Sequence, residues 1–186
     1  MVMDSKKLLV FSDTHGSVQA LKAVFDWAKK RTPPNDAICG AAFLGDGIAD
    51  LQFAAKASGF FCDWKLVSGN NDFGYSTPGA DVFDFAGNRF FMCHGHRHSL
   101  YGGYHTLIAA ARSAGANVAL FGHSHVPLHK IEDGVMLVNP GSVGRPRSKI
   151  GATFTVIKCD EGEQPEVEFF GIDARTEIRK VKLESA

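Results

Sequence analysis

Five apolar, strand-like runs in this chain end in side chains that can bind metal ions. A single Asp-x-His is usually chance and a single Gly-Asp is usually a turn, but five such endings in one chain indicate a metal site. In open α/β sheets the carboxyl ends of the strands meet at one edge, where binding sites form. The endings are Asp13 and His15 in LLVFSDTH, Asp46 in AAFLGD, Asn70 in KLVSGNND, His94 in FFMCHGH, and His123 and His125 in VALFGHSH.

The order of the segments predicts an α/β fold in which helices cover a core of two packed sheets. The last third of the chain is mostly strand-like and we find no linker, so residues 1–186 are expected to form one domain. Further expectations are helices over residues 17–30, 50–58 and 104–114, with Ser17 as an N-cap and residues 32–34 as a stop, and a hairpin turn at Gly87-Asn88.

The charge balance argues against broad electrostatic binding. Lys plus Arg and Asp plus Glu each number 20, so the formal net charge is zero. A neutral chain is not typical of proteins that coat nucleic acid or anionic membranes. If the substrate is an anion, metal ions could supply the positive charge that binds it.

The four cysteines are scattered and form no CxxC pair. This spacing predicts neither a zinc ribbon nor a disulfide framework, and we expect buried thiols in a reducing compartment. The apolar run after Lys7 is too short for a signal peptide or a membrane span, so the expected location is the cytoplasm.

The order D-x-H, GD, GN, H and GHxH resembles that of the calcineurin-like metallophosphoesterases. The short chain and the NPGSVGRPR stretch after GHxH are similar to their small bacterial and archaeal phosphodiesterase branch. The resemblance implies two mixed β-sheets packed together and flanked by helices, a four-layer α-β-β-α sandwich.

The resemblance also implies a centre of two divalent metal ions. Manganese is the expected metal, with Ni, Zn, Fe or Mg as alternatives, because oxygen and nitrogen ligands without thiolate suit these ions. The expected reaction is in-line attack on a phosphate ester by a metal-bound hydroxide. The implied ligands are Asp13, His15 and His125 for one ion and Asn70, His94 and His123 for the other, with Asp46 bridging both.

One position departs from the common pattern of the family. The sequence GNND places Asn71 where many relatives have a histidine that protonates the leaving group. An amide can donate a hydrogen bond to a phosphate oxygen but is not a general acid near neutral pH. Efficient hydrolysis of esters with poor leaving groups is therefore in doubt, although His96 could substitute as the acid.

The remaining histidines are interpreted individually. We count His96 with Asp46 and Asn70 as catalytic, and it could either support a metal ligand or face the phosphate. We expect His98 to be a solvated loop residue. His105 and His129 are expected at the surface or in packing.

The loop after GHxH offers the other substrate contacts. Arg145 and Arg147 lie where the resemblance places this loop near the metals, and arginine suits bidentate phosphate binding. Alternatively, both side chains only solvate the loop. Asn139 is expected to order the loop, by hydrogen bonds or by supporting a metal ligand, rather than to contact substrate.

The leading hypothesis is a metal-dependent phosphodiesterase acting on a small phosphate ester. One alternative is a non-catalytic scaffold of the type of the retromer coat subunit, but such sites usually lose ligands and here all seven are present. A nuclease is a weaker alternative because the chain is neutral. Association into a homo-oligomer is left open.

Overall fold

The computed structural model describes residues 5–31 and 36–183. These residues form three α-helices, α1 Val18–Lys29, α2 Ile48–Ser58 and α3 His105–Ser113. The strands of the first half are β1 Lys6–Phe11, β2 Ile38–Phe43, β3 Asp63–Leu66, β4 Ala80–Phe85 and β5 Asn88–Cys93. The strands of the second half are β6 Val118–Phe121, β7 Leu128–Glu132, β8 Val135–Asn139, β9 Ala152–Cys159, β10 Glu166–Ile172 and β11 Ile178–Val181.

The strands form two mixed sheets. The six-stranded sheet has the order β11-β10-β9-β1-β2-β3, in which β1, β2 and β3 are parallel. The five-stranded sheet has the order β4-β5-β6-β8-β7, in which β5, β6 and β8 are parallel. In each sheet the antiparallel strands lie outside the parallel group.

Alternating side chains of the strands build three apolar layers. In β1, Leu8 and Val10 pack into the core between the two sheets, whereas Leu9 and Phe11 pack under α1 and α2. The five-stranded sheet packs its other face against α3. Strands covered on both faces need continuous apolar runs, which explains LLVF and VALF. The predicted α-β-β-α sandwich is therefore confirmed.

Some local predictions are corrected. The hairpin turn is Ala86-Gly87 rather than Gly87-Asn88, and both turn residues have positive φ, as a two-residue hairpin turn requires. Asn88 is instead the first residue of β5, where its buried side chain accepts a hydrogen bond from Asn117. Strand β7 was not predicted, because its residues are mostly exposed and polar.

Two other predictions, on Ser17 and on the cysteines, are only partly confirmed, and a third lies outside the described residues. Ser17 occupies the N-cap position of α1 but forms no side-chain capping hydrogen bond. The predicted stop at residues 32–34 lies outside the described residues. Cys93 and Cys159 are buried, but Cys39 is exposed, because it lies near the start of β2 where the strand leaves the core.

The parallel strands position the candidate site. Strands β1, β2 and β3 of one sheet and β5 and β6 of the other direct their carboxyl ends to one edge of the sandwich. Among the described residues, no helix combines the length and apolarity needed to cross a membrane.

Candidate metal centre

The loops that follow the parallel strands are joined to one another by backbone hydrogen bonds. The amide of Asp13 donates to the carbonyl of Gly45 over 3.0 Å, and the amide of Leu44 donates to that of Phe11 over 3.0 Å. In the other sheet the amide of Gly122 donates to the carbonyl of His94 over 2.9 Å. The strand ladders thus continue beyond the strands, which fixes the positions of the side chains at their ends.

Five of the seven candidate ligands have a left-handed backbone conformation. Only a few per cent of non-glycine residues have positive φ, and residues that do often mark functional sites, where surrounding contacts offset the strain. This conformation bends each loop sharply after its strand. The five φ angles are 56° for Asp13, 43° for His15, 60° for Asp46, 65° for His123 and 60° for His125.

One group of candidate ligand atoms surrounds the fully buried Asp13 carboxylate. The Nε2 atom of His125 lies 3.1 Å from Asp13 Oδ1, and Nε2 of His15 lies 3.7 Å from the same oxygen. The two Nε2 atoms are 3.3 Å apart. These three side chains form one of the clusters in the described part of the chain that could hold a metal ion.

A second group adjoins the first. His94 Nε2 lies 3.5 Å from Asp46 Oδ2 and 3.1 Å from Asn70 Oδ1. Asp46 Oδ2 is also 3.6 Å from Nε2 of His15, so this carboxylate lies between the two groups, as a bridging ligand would. Asp13 also belongs to this second cluster. His123 lies beside it, with its ring centroid 5.1 Å from that of His94.

The hydrogen bonds around the two groups direct lone pairs, not protons, toward their centre. His94 Nδ1 lies 2.7 Å from the carbonyl of Leu44, and His125 Nδ1 lies 2.6 Å from that of Arg145. A carbonyl only accepts, so each Nδ1 bears a proton, and each imidazole in its neutral form presents Nε2 as an acceptor. Asp13 Oδ1 is buried and receives no hydrogen bond. Buried carboxylate and imidazole acceptors that converge in this way fit a bound cation, so the residues present suit divalent metal ions.

The charges in the site oppose the effect of burial on Asp13. Burial raises the pKa of this carboxyl, but the nearby imidazoles of His125, His15 and His94 together hold the pKa far below its usual range. Burial lowers the pKa of His125, but its contact with Asp13 raises it above the ordinary value. Burial and the nearby His94 lower the pKa of His123.

Five of the seven candidate ligands line a surface pocket of about 230 Å³: His15, Asp46, Asn70, His123 and His125. The predicted substrate contacts Asn71, Arg145 and Arg147 lie on its walls. A larger groove of about 890 Å³ lies between β7 and the β10-β11 pair, and none of the candidate ligands lines it. We assign the chemistry to the smaller pocket because the ionisable groups converge there.

Asn71 has a different partner from the one expected. Its side-chain amide donates to Asp46 Oδ2 over 2.5 Å and its backbone amide donates to Asp46 Oδ1 over 2.8 Å. The amide therefore orients the carboxylate that lies between the two groups. A contact between Asn71 and a phosphate oxygen stays a prediction.

The other two histidines of the HGHRH stretch, His96 and His98, do not line the pocket. His96 packs its ring 5.4 Å from that of His94, but it lines a separate small cavity with Arg97 and His98. A catalytic role for His96 stays a prediction. His98 is not the solvated loop residue that we expected. It is half-buried, its Nδ1 lies 3.6 Å from the thiol sulfur of Cys93, and burial lowers its pKa.

Two carboxylates that sequence reasoning missed position the loops of the site. Asp72 accepts hydrogen bonds from four backbone amides, those of Asp46, Gly47, Ile48 and Gly69, over 2.6 to 2.9 Å. Asp50 accepts from the Thr14 hydroxyl and the Gly16 amide. Aspartates often accept amide hydrogen bonds in glycine-rich turns, which was the available signal for Asp72 in GNND.

Asn139 orders its own NPGS loop by a hydrogen bond, as predicted, and also joins it to the GHxH loop. Its buried amide donates to the carbonyl of Gly122 and to the hydroxyl of Ser124, while its side-chain oxygen accepts from Gly141. It is not among the residues that line the pocket. His105 and His129, which we expected at the surface or in packing, are both exposed.

Comparison with known proteins identifies the family. Residues 7–162 match the model of the calcineurin-like phosphoesterase superfamily domain. A probable metallophosphoesterase of Mycoplasma pneumoniae is 33% identical over 147 residues, which cover 76% of this chain and 82% of that protein.

Solved structures share the fold. A Streptococcus pneumoniae protein described as a predicted phosphoesterase aligns with a TM-score of 0.74 and 24% identity over 91% of each chain. Wild-type Vps29 of Entamoeba histolytica, solved with Zn²⁺, aligns with a TM-score of 0.72 and 18% identity over 94% of this chain and 98% of its own. The chain therefore belongs to the calcineurin-like phosphoesterase superfamily.

Proposed function

We propose that this protein is a metal-dependent phosphodiesterase that hydrolyses a small phosphate ester. The observation that supports this most is the convergence of buried acceptors on Asp13 Oδ1, which receives no hydrogen bond. The cluster faces an open pocket, where a substrate can reach the cations that would activate water and phosphate.

In this proposal each ligand has one role. Asp13, His15 and His125 would hold one ion, Asn70, His94 and His123 the other, and Asp46 would contact both. Two bound divalent ions, with manganese our first choice, would lower the pKa of water and offset the charge of the phosphate. The carbonyls of Leu44 and Arg145 keep His94 and His125 in the tautomer that metal binding requires.

The protein groups around the pocket favour certain esters. Arg145 and Arg147 could bind the non-bridging oxygens of a phosphate. The Asn71 amide is engaged with Asp46, and His96 lines another cavity. Among the residues that the structure describes, no general acid therefore lines the pocket from the side of Asn71, and the proposed substrates are esters whose leaving group departs without strong acid assistance. The pocket is open, which leaves room for substituents on both sides of a diester.

The test uses metal-stripped protein and two activated esters, bis(p-nitrophenyl) phosphate and p-nitrophenyl phosphate. Mn²⁺, Ni²⁺, Zn²⁺ and Mg²⁺ are added back separately. We expect turnover only with metal, faster for the diester, and loss of turnover in Asp46→Asn and His94→Ala. Retention of most activity in either variant would overturn the two-metal assignment, and faster monoester hydrolysis would overturn the diester preference.

A non-catalytic scaffold is the second candidate function. The similarity of fold to Vps29 supports it, and because one Vps29 structure contains Zn²⁺, metal binding alone does not separate the two functions. Turnover does. Tight metal binding with no hydrolysis of either ester would favour the scaffold.

We extend the proposal to the setting of the reaction. The neutral chain favours a small phosphate ester in the cytoplasm over polymeric nucleic acid or a membrane surface. Cleavage of long DNA with steep salt dependence of binding would instead support a nuclease.

A further inference from the structure

An exposed aromatic ring lies beside two of the residues that line the pocket, His123 and Arg147. Tyr101 lies in a single turn of 3₁₀ helix, Leu100–Gly102, and its side chain is 76% exposed. Its ring centroid lies 6.4 Å from that of His123, a candidate ligand on the pocket wall. Its hydroxyl accepts a hydrogen bond from Nη1 of Arg147 over 3.3 Å. The ring therefore borders the site on the side of Arg147.

The backbone that presents Tyr101 is fixed on both sides. The preceding Leu100 is buried in the apolar layer under α3. The amide of Gly102 donates to the carbonyl of Ser99, and that of His98 donates to Gly95. A ring on a backbone that is fixed in this way loses little freedom when it meets a ligand, because only two side-chain torsions remain.

Packing does not explain this position of the ring. A side chain that is 76% exposed contributes little hydrophobic stabilisation, and a hydrogen bond of 3.3 Å at the surface is weak. The structure thus keeps a large planar apolar face beside Arg147, which we propose binds phosphate.

We propose that Tyr101 and Arg147 form a subsite for a planar aromatic substituent of the phosphodiester substrate. This inference rests on the proposed phosphodiesterase function and names the substrate class of the same pocket. The guanidinium of Arg147 binds the phosphate while the Tyr101 ring stacks against the ring of the substituent. The substrate class is a diester with at least one aryl or heteroaryl group.

The activity test compares two diesters with the same leaving group. Bis(p-nitrophenyl) phosphate has an aromatic second substituent, and methyl p-nitrophenyl phosphate has an aliphatic one. In Tyr101→Leu, which removes the ring but keeps an apolar side chain, we expect kcat/KM to fall by about fivefold to tenfold for the aryl diester and by less than about twofold for the methyl diester.

Two further variants control for structure. Tyr101→Phe keeps the ring and loses the hydrogen bond to Arg147, and we expect it to retain the aryl preference. Phe61→Leu removes a ring that is 83% exposed just before β3, at the opposite edge of the sheet from the site, and it should change neither substrate. An equal loss for both diesters in Tyr101→Leu, or no loss for either, would overturn the subsite.

A binding measurement separates this inference from the proposed function. We would titrate Mn²⁺-loaded protein with phenylphosphonate and methylphosphonate, which are not hydrolysed. We expect wild type to bind the phenyl compound about fivefold to tenfold more tightly and Tyr101→Leu to bind both equally. This ratio without turnover of any ester would refute the phosphodiesterase but support the subsite. A ratio near one in wild type would overturn the subsite even if the diesters are hydrolysed.

Discussion

Replacement of Asp72 by Asn should destabilise the protein and disturb the candidate metal centre. Each carboxylate oxygen accepts two backbone amides: Oδ1 those of Gly47 and Ile48, and Oδ2 those of Asp46 and Gly69. The asparagine side chain has one oxygen and one NH₂ group. In either orientation, two backbone N–H groups lose their acceptor and face a donor instead.

The size of the loss follows from the count of these bonds. A hydrogen bond to a charged group contributes about 1.5–3 kcal/mol, so two lost bonds correspond to about 3–6 kcal/mol. Asp72 is half-buried and water can replace part of the loss, so we expect the lower end, about 3 kcal/mol. The lost pair is the amides of Asp46 and Gly69 in one orientation and those of Gly47 and Ile48 in the other. Either pair contains Asp46 or the residue after it, so the carboxylate between the two groups should also move.

The assay is urea unfolding of metal-stripped protein, followed by calorimetric titration with Mn²⁺. Asp84→Asn is the matched control, because Asp84 lies on β4 with its side chain 72% exposed, and its unfolding free energy should stay within about 0.5 kcal/mol of wild type. We expect Asp72→Asn to unfold at lower urea and to bind Mn²⁺ more weakly. A loss below about 1 kcal/mol with unchanged Mn²⁺ affinity would refute this reasoning, since it would mean that the four amide hydrogen bonds are not needed.

Other perturbations test the packing and charges of the site. Gly122→Ala places a methyl group against the Ser12 hydroxyl and 2.8 Å from Asp13 Oδ2, so thermal unfolding should show a loss of about 1–3 kcal/mol; an unchanged melting temperature would contradict the close approach. Burial raises the pKa of the Cys62, Cys93 and Cys159 thiols to about 12, whereas Cys39 is exposed. A disulfide reagent should therefore modify Cys39 rapidly and the other three thiols only on unfolding, and rapid modification of two or more thiols would argue against this packing. Because the pKa of Asp13 is lowered in the folded state, this carboxylate stabilises the protein at pH values above its ordinary pKa of 3.8, and the stabilisation is lost as the pH falls further. The free energy of unfolding of Asp13→Asn should therefore fall less steeply with acid than that of wild type, and equal slopes would contradict this.

The strands and the candidate ligands could be predicted because they depend on local sequence. Leu8, Val10 and their neighbours form an apolar run that is stable only when both faces are covered, and the polar residues that follow must then lie at a sheet edge. The resemblance to a known family added which of these polar residues would share a metal ion. Strand β7 was missed because Lys130 and Ile131 are exposed on an edge strand and show no burial pattern.

The geometry of the loops could not be predicted, because it depends on contacts between distant segments. The positive φ of Asp46 is maintained by hydrogen bonds to distant residues: its carbonyl accepts from the amide of Thr14, and its own amide and that of Gly47 donate to Asp72. No short-range pattern links residues that lie about thirty positions apart. The contact of Asn71 with Asp46 was missed for the same reason, since the sequence alone suggested a phosphate as its partner.

The central claim is that the converging acceptors bind two metal ions that serve hydrolysis. Its most direct test is equilibrium dialysis of metal-stripped protein against Mn²⁺, with the ions per chain and the hydrolysis of bis(p-nitrophenyl) phosphate measured on the same samples. We predict two ions per chain in wild type, turnover that rises as the second ion binds, and loss of both the second ion and turnover in Asp46→Asn. Turnover without bound metal, or two ions bound by Asp46→Asn with wild-type turnover, would contradict the claim.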